Sequence, residues 1–229
     1  MEKTRLCKAA ESVPQVIQNT QIQVEYYFPC PIYVIERPDF LKIVNTVSEE
    51  ALDVQRRERK FDEIYPVYMT QNYFADSRLA EFSQFVGDTA WNILNEQGYS
   101  MQDMAVSFIE MWTQEHYKHS AMDAHVHGYG SQIVGFYFLE TPEKCSKLCF
   151  HDPRAGKVQI DLPEQDIRTA TPVSKIISFI PKPGTMIFAN SWLMHSFTRH
   201  SADNPIKFVH FNLAAIQQPP TYPAPAEII

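Results

Sequence analysis

The sequence predicts a mainly β protein (α+β) in which two N-terminal helices pack against a β-core of about eight strands. Two observations lead to this prediction. Helical periodicity is confined to two segments before residue 104, and from Met104 onward short β-type runs follow one another without intervening helices. The 229 residues suit one domain, with an N-terminal strand and supporting helices (1–103), a β-core (104–217) and an extended tail (218–229).

The first element is a strand at Gln23–Ile35, which is rich in β-forming residues. It contains Pro29 and Pro31, and proline cannot donate a hydrogen bond to a neighbouring strand. We therefore expect this strand to lie at an edge or at the entry to the sheet.

We expect helices at Phe40–Val54 and Asp76–Gln97, because apolar residues recur there at helical spacing. Gly98 follows the second helix and is expected to end it. The apolar stripes consist of Phe40, Ile43, Val44, Val47 and Ala51 in the first helix and of Leu79, Phe82, Val86, Ala90 and Ile93 in the second.

The second half contains seven runs that are typical of strands and are separated by turn residues. In chain order they are AVSFIEMWTQ, VGFYFLE, KLCF, KVQI, KIISFIP, GTMIFA and KFVHFNLAAI. Strands in this succession indicate a sandwich or barrel rather than a parallel α/β sheet.

Composition excludes several classes of protein. The formal net charge of −7 disfavours nucleic acid binding through phosphate contacts, and no GxGxxG or GxxxxGK motif is present. The charged first residues lack the apolar segment of a signal peptide, and no apolar run is long enough to span a bilayer. The four cysteines form no CxxC motif, so we expect free thiols in a cytoplasmic protein.

The stretch AHVHGYG places His125 and His127 two residues apart. In a strand such residues point to the same face, so both can reach one ion, and imidazole suits Fe, Zn, Cu or Ni. The best third ligand is His195, in a short loop after a predicted strand. Three protein ligands on one face of an ion leave positions for dioxygen and a cosubstrate. The alternative is that these histidines are structural.

The remaining histidines receive structural interpretations. His116 and His119 flank a polar patch and are expected to be exposed loop residues. His210 lies in an alternating run and is expected to be a core histidine with its hydrogen bonds satisfied. His151, with the nearby CxxxC pair, lacks a fourth ligand for a zinc site.

Four segments together resemble the 2-oxoglutarate/Fe(II)-dependent oxygenase superfamily, in particular a bacterial and phage branch with a His-x-His motif. They are HVHGYGSQIVGFYFLETP, LCFHDPR, PKPGTMIFANSWLMHSF and KFVHFNLAA, and the resemblance covers about Val106–Ala215. It implies a double-stranded β-helix (jelly-roll or cupin-like) of two four-stranded sheets, with the N-terminal helices packed on one sheet.

The resemblance implies that His125, His127 and His195 bind iron(II). His127 occupies the position at which the superfamily has a carboxylate, so the three ligands are neutral and the charge of the site changes by one unit. Asp123 also lies two residues from His125 and is a second candidate for the carboxylate.

For 2-oxoglutarate, the resemblance implies a cation after the distal histidine that pairs with the C5 carboxylate. Lys207 is the first candidate and Arg199 the alternative, while Tyr137 and Asn190 are expected to add hydrogen bonds. Lys207 could instead be a surface residue, and Tyr137 a core aromatic. Four aromatic residues could line the substrate cavity, although core packing is their more common role: Trp112, Phe136, Phe138 and Trp192.

The implied activity is hydroxylation of an unknown substrate, coupled to oxidative decarboxylation of 2-oxoglutarate and assisted by ascorbate. Two rival functions remain open: a cupin-like metal- or small-molecule-binding protein without turnover, and a three-histidine dioxygenase that uses no keto acid. The expected partners are the cosubstrate and the substrate, without a membrane or nucleic acid, and a homodimer is left open.

Overall fold

The computed structural model describes residues 28–128, 130–160 and 162–218. The start of the predicted Gln23–Ile35 strand and, apart from Gln218, the predicted tail lie outside these residues. No helix within the described ranges is long and apolar enough to cross a membrane.

The described residues form two α-helices, α1 (Leu41–Glu58) and α2 (Ala80–Glu96), and ten β-strands. The strands are β1 (Ile32–Glu36), β2 (Val67–Met69), β3 (Met104–His116), β4 (Met122–His125), β5 (Ile133–Glu140), β6 (Leu148–His151), β7 (Ile176–Phe179), β8 (Thr185–Asn190), β9 (His195–Phe197) and β10 (Ile206–Gln217).

Both predicted helices are present, and each begins with a 3₁₀ turn. At the second of these turns the Asp76 side chain accepts a hydrogen bond from the backbone N–H of Arg78, which caps the start. Gly98, with φ of 94°, follows the end of α2 as expected.

Four assignments of strands differ from the prediction. The short strands β4 and β9 lie outside the seven predicted runs, and His195, which was expected in a loop, begins β9. The run KVQI forms part of a 3₁₀ helix at Ala155–Gln159, because the Lys157 ammonium is tied back to the Asp152 carboxylate and the Ser174 carbonyl. The short strand β2 was not predicted, since three residues carry too little periodicity.

The strands form two antiparallel sheets. The six-stranded sheet has the order β1-β8-β5-β10-β3-β2, and the four-stranded sheet has the order β4-β9-β6-β7. The resemblance implied four strands in each sheet, and β1 and β2 extend the larger sheet at its two edges. The helices pack on the six-stranded sheet alone, as predicted.

The six-stranded sheet is buried on both faces, and alternate residues of its strands enter different cores. On β5, Tyr137 and Leu139 face the helices, whereas Phe136 and Phe138 face the smaller sheet. On β10, Val209 likewise belongs to the helix-side core. This alternation decides which side chains can reach a site between the sheets.

A charged cluster ties α1 to the larger sheet. The ammonium of Lys207 on β10 donates hydrogen bonds to Glu49 on α1 and, at 2.8 Å, to Glu140 on β5. Arg56 on α1 bonds Glu49 at 3.0 Å and the buried carboxylate of Glu115 on β3 at 2.6 Å. Two cations and three carboxylates therefore connect one helix to three strands.

We expect Lys207→Met to lower the free energy of unfolding by about 2 kcal/mol, because it leaves Glu140 without a cation among the described residues and leaves Glu49 and the buried Glu115 with Arg56 alone. The figure lies below that for a fully buried pair, since Glu49 and Glu140 are partly exposed and screened. Urea unfolding measures the change. Lys118→Met, which removes an exposed ion pair with Asp203, is the control and should change the value by under about 0.5 kcal/mol. Equal effects of the two variants would refute the role of the cluster.

The charged cluster also predicts a dependence of stability on pH. Burial raises the pKa of Glu49, but hydrogen bonds from Lys207 and Arg56 outweigh it, so the pKa lies below its ordinary value of 4.5. Ionised Glu49 therefore stabilises the fold above that value, and the contribution is lost as the pH falls through the lowered pKa. Glu49→Gln should be less stable than wild type at neutral pH and should lose less stability on acidification, as followed by thermal unfolding. A pH profile parallel to that of wild type would contradict this.

Candidate metal centre

The pairing of β4 with β9 brings the first and last of the three predicted ligands together. In this antiparallel pair His125 lies directly opposite His195, and their ring centres are 4.5 Å apart. His195 reaches this place because β8 ends at Asn190 and a short turn leads into β9. The sequence predicted this return of the chain.

His127 lies just beyond the end of β4 and completes a group of three imidazoles. Its backbone N–H donates to the Ser191 carbonyl at 2.9 Å, which holds this segment against the turn before β9. Its ring centre is 5.1 Å from those of His125 and His195. One nitrogen from each ring lies within 4.8 Å of the other two, an arrangement that could hold a metal ion.

Backbone carbonyls orient two of these rings in the same way. The Nδ1 of His125 lies 2.8 Å from the Asp123 carbonyl oxygen, and the Nδ1 of His195 lies 3.1 Å from that of Leu193. A carbonyl can only accept, so both Nδ1 atoms carry the proton and both Nε2 atoms keep a lone pair. Metal-binding histidines in proteins are commonly oriented in this way.

Two of the imidazoles, those of His127 and His195, are held in the neutral form that a metal requires. Burial lowers the pKa of His195 to about 3 and that of His127 to about 4. The neighbouring imidazoles lower both values further. The Nε2 atoms of His127 and His195 are buried and have no hydrogen-bond partner among the described residues.

Aromatic rings close the site on the side of the inter-sheet core. Phe136 contacts His195 with a ring separation of 5.3 Å, and His210 on β10 lies 4.7 Å from His127. Trp112 packs edge-on against His210 at 4.5 Å. Of the four predicted cavity aromatics, Phe136 and Trp112 therefore lie at the site, while Phe138 packs in the core and Trp192 is exposed.

His210 differs from its prediction in one respect. It is a core residue, only 2% exposed, but its Nδ1 is buried without a hydrogen-bond partner among the described residues. Burial lowers its pKa well below the ordinary value of 6.5. A satisfied core histidine was expected, and the sequence gives no sign of the unpartnered nitrogen.

A cavity of about 360 Å³ opens beside His127. Its lining includes Glu110 of β3 and Asn212 of β10, whose amide donates to the Glu110 carboxylate at 3.1 Å. Sequence analysis missed both residues, because neither belongs to a recognisable motif. The cavity gives a bound molecule access to the imidazole group from a polar side.

Two predicted 2-oxoglutarate ligands, Lys207 and Tyr137, lie on the wrong face of the larger sheet. Lys207 belongs to the charged cluster on the helix side, as described above. The Tyr137 hydroxyl donates to the Arg37 carbonyl at 2.8 Å, also on the helix side, so the alternative interpretation as a core aromatic applies.

The other two predicted 2-oxoglutarate ligands also point elsewhere. Asn190 exchanges hydrogen bonds with Gln97 after α2, and Arg199 is exposed and donates to the His119 carbonyl. The alternative iron ligand Asp123 is exposed and contributes its backbone carbonyl to His125 instead of a carboxylate.

The prediction for His116 was wrong, whereas His119 is exposed as predicted. β3 continues to His116, whose ring is fully buried and lies 2.8 Å from the Gln114 side-chain oxygen through Nε2. Burial lowers its pKa to about 3. The run recognised in the sequence stopped at Gln114, so the histidine was placed in the following loop.

Residues 110–212 match the model of a protein family described as "Putative 2OG-Fe(II) oxygenase". This segment is therefore similar to the 2OG-Fe(II) oxygenase family. The match contains all three imidazoles of the group and confirms the resemblance noted in the sequence.

Solved structures share the fold. The chain is similar to HygX from Streptomyces hygroscopicus with nickel, 2-oxoglutarate and hygromycin B bound, at 11% identity over 84% of this chain and 84% of that chain, with a TM-score of 0.53. It is similar to the non-heme alpha ketoglutarate dependent carbocyclase SnoK from nogalamycin biosynthesis, at 11% identity over 84% and 83% of the two chains, with a TM-score of 0.58.

A third similar structure is a Pseudomonas putida prolyl-4-hydroxylase, at 9% identity over 80% of this chain and 92% of that chain, with a TM-score of 0.53. These likenesses confirm the predicted fold class. No curated protein matches the chain in sequence.

The three imidazoles predict a single site for a divalent metal. We expect wild-type protein to bind one equivalent of Co(II), a spectroscopic substitute for iron, as measured by chelator competition. His195→Ala should weaken binding by more than the 10–100-fold that is typical of losing an outer-shell residue. His116→Ala removes a buried imidazole away from the group and is the matched control. Equal Co(II) affinity of the two variants would rule out His195 as a ligand.

Proposed function

We propose that this protein is an iron(II)-dependent oxygenase that couples oxidative decarboxylation of 2-oxoglutarate to hydroxylation of an organic substrate, with His125, His127 and His195 as the iron ligands. The observation that carries the proposal is the convergence of these three imidazoles, two of them with buried and unpartnered Nε2 atoms. The family match supplies the class of reaction.

The spacing of the rings fits a single first-row metal ion. Imidazole nitrogens lie about 2.1 Å from such an ion, so the ring centres lie roughly 3.3 Å from it. The observed separations of 4.5 and 5.1 Å are short enough for one ion to be bound by all three imidazoles. The donor set therefore fits iron(II).

Bound iron(II) would supply the activation of dioxygen, and the protein's own residues prepare the site for it. The Asp123 and Leu193 carbonyls fix the ring orientations of His125 and His195, so little side-chain freedom is lost on binding. Phe136 and Trp112 exclude water from the core side. The cavity beside His127 is left as the route for the substrate.

The predicted anchor for 2-oxoglutarate does not fit. Residues of β10 that share the His210 face are Ile206, Phe208 and Asn212, and none of them is charged. All four side chains that were predicted to hold the cosubstrate are engaged outside the imidazole group. The carboxylates of the keto acid must therefore be bound by the ion and by other residues.

This misfit favours a second candidate function, a three-histidine dioxygenase that uses no keto acid. The observation that favours it is the uncharged inner face of β10, which offers no cation to the C5 carboxylate of a keto acid. No specific observation on the described residues favours the third possibility, a cupin-like binding protein without turnover.

Oxygen uptake distinguishes the two candidate functions. Protein reconstituted with Fe(II) and ascorbate should consume oxygen and release succinate only when 2-oxoglutarate is added. His195→Ala should do neither, whereas Lys118→Met should behave as wild type. Oxygen uptake that is independent of 2-oxoglutarate would establish the second candidate. Absence of both activities from metal-loaded wild type in the presence of a substrate library would refute both oxygenase proposals.

We infer a cytoplasmic protein that acts on its substrate without a nucleic acid partner. Two observations support this: the net charge is −7, and the described cysteines Cys30, Cys145 and Cys149 are free thiols. A homodimer stays an open prediction.

A further inference from the structure

His210 is a buried polar residue for which the three-histidine site gives no role. It lies on β10, is 2% exposed, and reaches the inter-sheet side because of the strand's alternation. Its Nδ1 is buried and lacks a hydrogen-bond partner among the described residues. An unpaired buried nitrogen costs free energy, so it calls for a ligand that the protein itself does not provide.

The surroundings of the ring show where that ligand would be. The ring of His210 contacts Trp112 and Phe136, at 4.5 and 4.6 Å, through aromatic packing. Its polar ring neighbours are His127 at 4.7 Å and His195 at 6.3 Å, each of which also has an unpartnered Nε2. Three imidazoles with an unsatisfied nitrogen therefore meet at one place.

The three nitrogens do not all need the same partner. His127 and His195 share a ligand group with His125, in which the nitrogens lie within 4.8 Å of one another, and His210 is not a member of that group. It is thus too far from at least one of the three to complete a set of four around one ion. With its ring centre 4.7 Å from that of His127, His210 lies beside the group and not in it.

We propose that His210 hydrogen-bonds the small oxygen-donor ligand that shares the ion with His125, His127 and His195. This rests on the proposed function only in requiring a metal ion at the three imidazoles. An imidazole nitrogen can accept from water or donate to a carboxylate, depending on its tautomer. A water and the carboxylate of the keto acid are therefore the two sources of the same ligand chemistry.

The position also addresses the missing anchor. Lys207 precedes His210 by three residues on β10. Because side chains alternate along a strand, the two point to opposite faces of the sheet, and Lys207 is held on the face away from the site. His210 is the residue of this strand whose unpartnered nitrogen lies beside the metal ligands. A hydrogen bond from it would hold the metal-bound end of the cosubstrate, whereas the predicted salt bridge concerned the C5 carboxylate at the other end.

The test uses Co(II)-loaded full-length protein and three variants. His210→Leu removes the nitrogen, His210→Asn keeps a polar group close to the Nδ1 position, and His116→Leu places the same apolar side chain at another buried histidine. One arm records the visible Co(II) spectrum without 2-oxoglutarate, which reports on a bound water. The other arm measures the dissociation constant for 2-oxoglutarate by anaerobic calorimetry.

We expect His210→Leu to bind Co(II) with an affinity within about threefold of that of wild type. One of the two measurements should nevertheless differ from wild type. Either its Co(II) spectrum shifts, which identifies the water, or its affinity for 2-oxoglutarate falls by about 10-fold or more, which identifies the carboxylate. His210→Asn should recover most of the difference, and His116→Leu should match wild type in both arms. Thermal unfolding confirms that each variant is folded.

Two results would overturn the proposal. If both arms are unchanged in a folded His210→Leu variant, the ring only fills space. If that variant loses Co(II) as completely as His195→Ala does, His210 is itself a metal ligand. Failure of the proposed function is separate, because it would appear in wild type as a lack of Co(II) binding. If wild type binds Co(II) but not 2-oxoglutarate, the keto-acid mechanism fails and the spectral arm still decides the role of His210.

Discussion

The candidate site depends on the register between two very short strands. β4 and β9 face each other so that His125 and His195 are directly opposed, and a slip by one residue would turn the His195 ring away from the core. The smaller sheet holds this register from behind. Phe197 at the end of β9 stacks on Phe208 of the larger sheet at 4.6 Å, and Phe150 of β6 pairs with His195 itself. Packing between the sheets therefore fixes where the imidazoles meet.

The same packing explains which parts of the site could be predicted from sequence. The convergence of the His-x-His motif with the distal histidine could be predicted from sequence. It depends only on local chain geometry, namely the end of a strand followed by a tight turn. A residue that would bind 2-oxoglutarate could not be predicted from sequence, because every residue of β10 from Ile206 to Leu213 is buried. A strand buried on both faces shows no polar alternation, so its sequence does not reveal which face meets the site. Lys207 was therefore assigned by its distance from His195, whereas the face was decided by tertiary packing.

The assignment of faces has an energetic reason. On the helix side Lys207 has carboxylates from α1 and β5 within hydrogen-bond distance, so its charge is compensated where it lies. On the inter-sheet side its neighbours would be Phe136 and Phe208, which offer nothing to an ammonium group. Sequence inspection treated the lysine as a free cation because its partners are distant along the chain: Glu49 precedes it by 158 residues. Long-range ion pairs of this kind lie outside what motif spacing can show.

An electrostatic argument connects the neutral ligands with the missing cation. A carboxylate ligand would cancel one unit of the charge of a divalent ion, whereas His125, His127 and His195 cancel none, since burial keeps the latter two uncharged. The full double charge would then act on whatever else binds, in an interior where charges interact more strongly than in water. A dianionic keto acid could be neutralised by the ion alone, without a lysine. With the proposed ligand set, the replacement of the carboxylate by His127 and the position of Lys207 on the helix side would compensate each other, and a neutral hydrogen-bonding group such as His210 would suffice beside the ion.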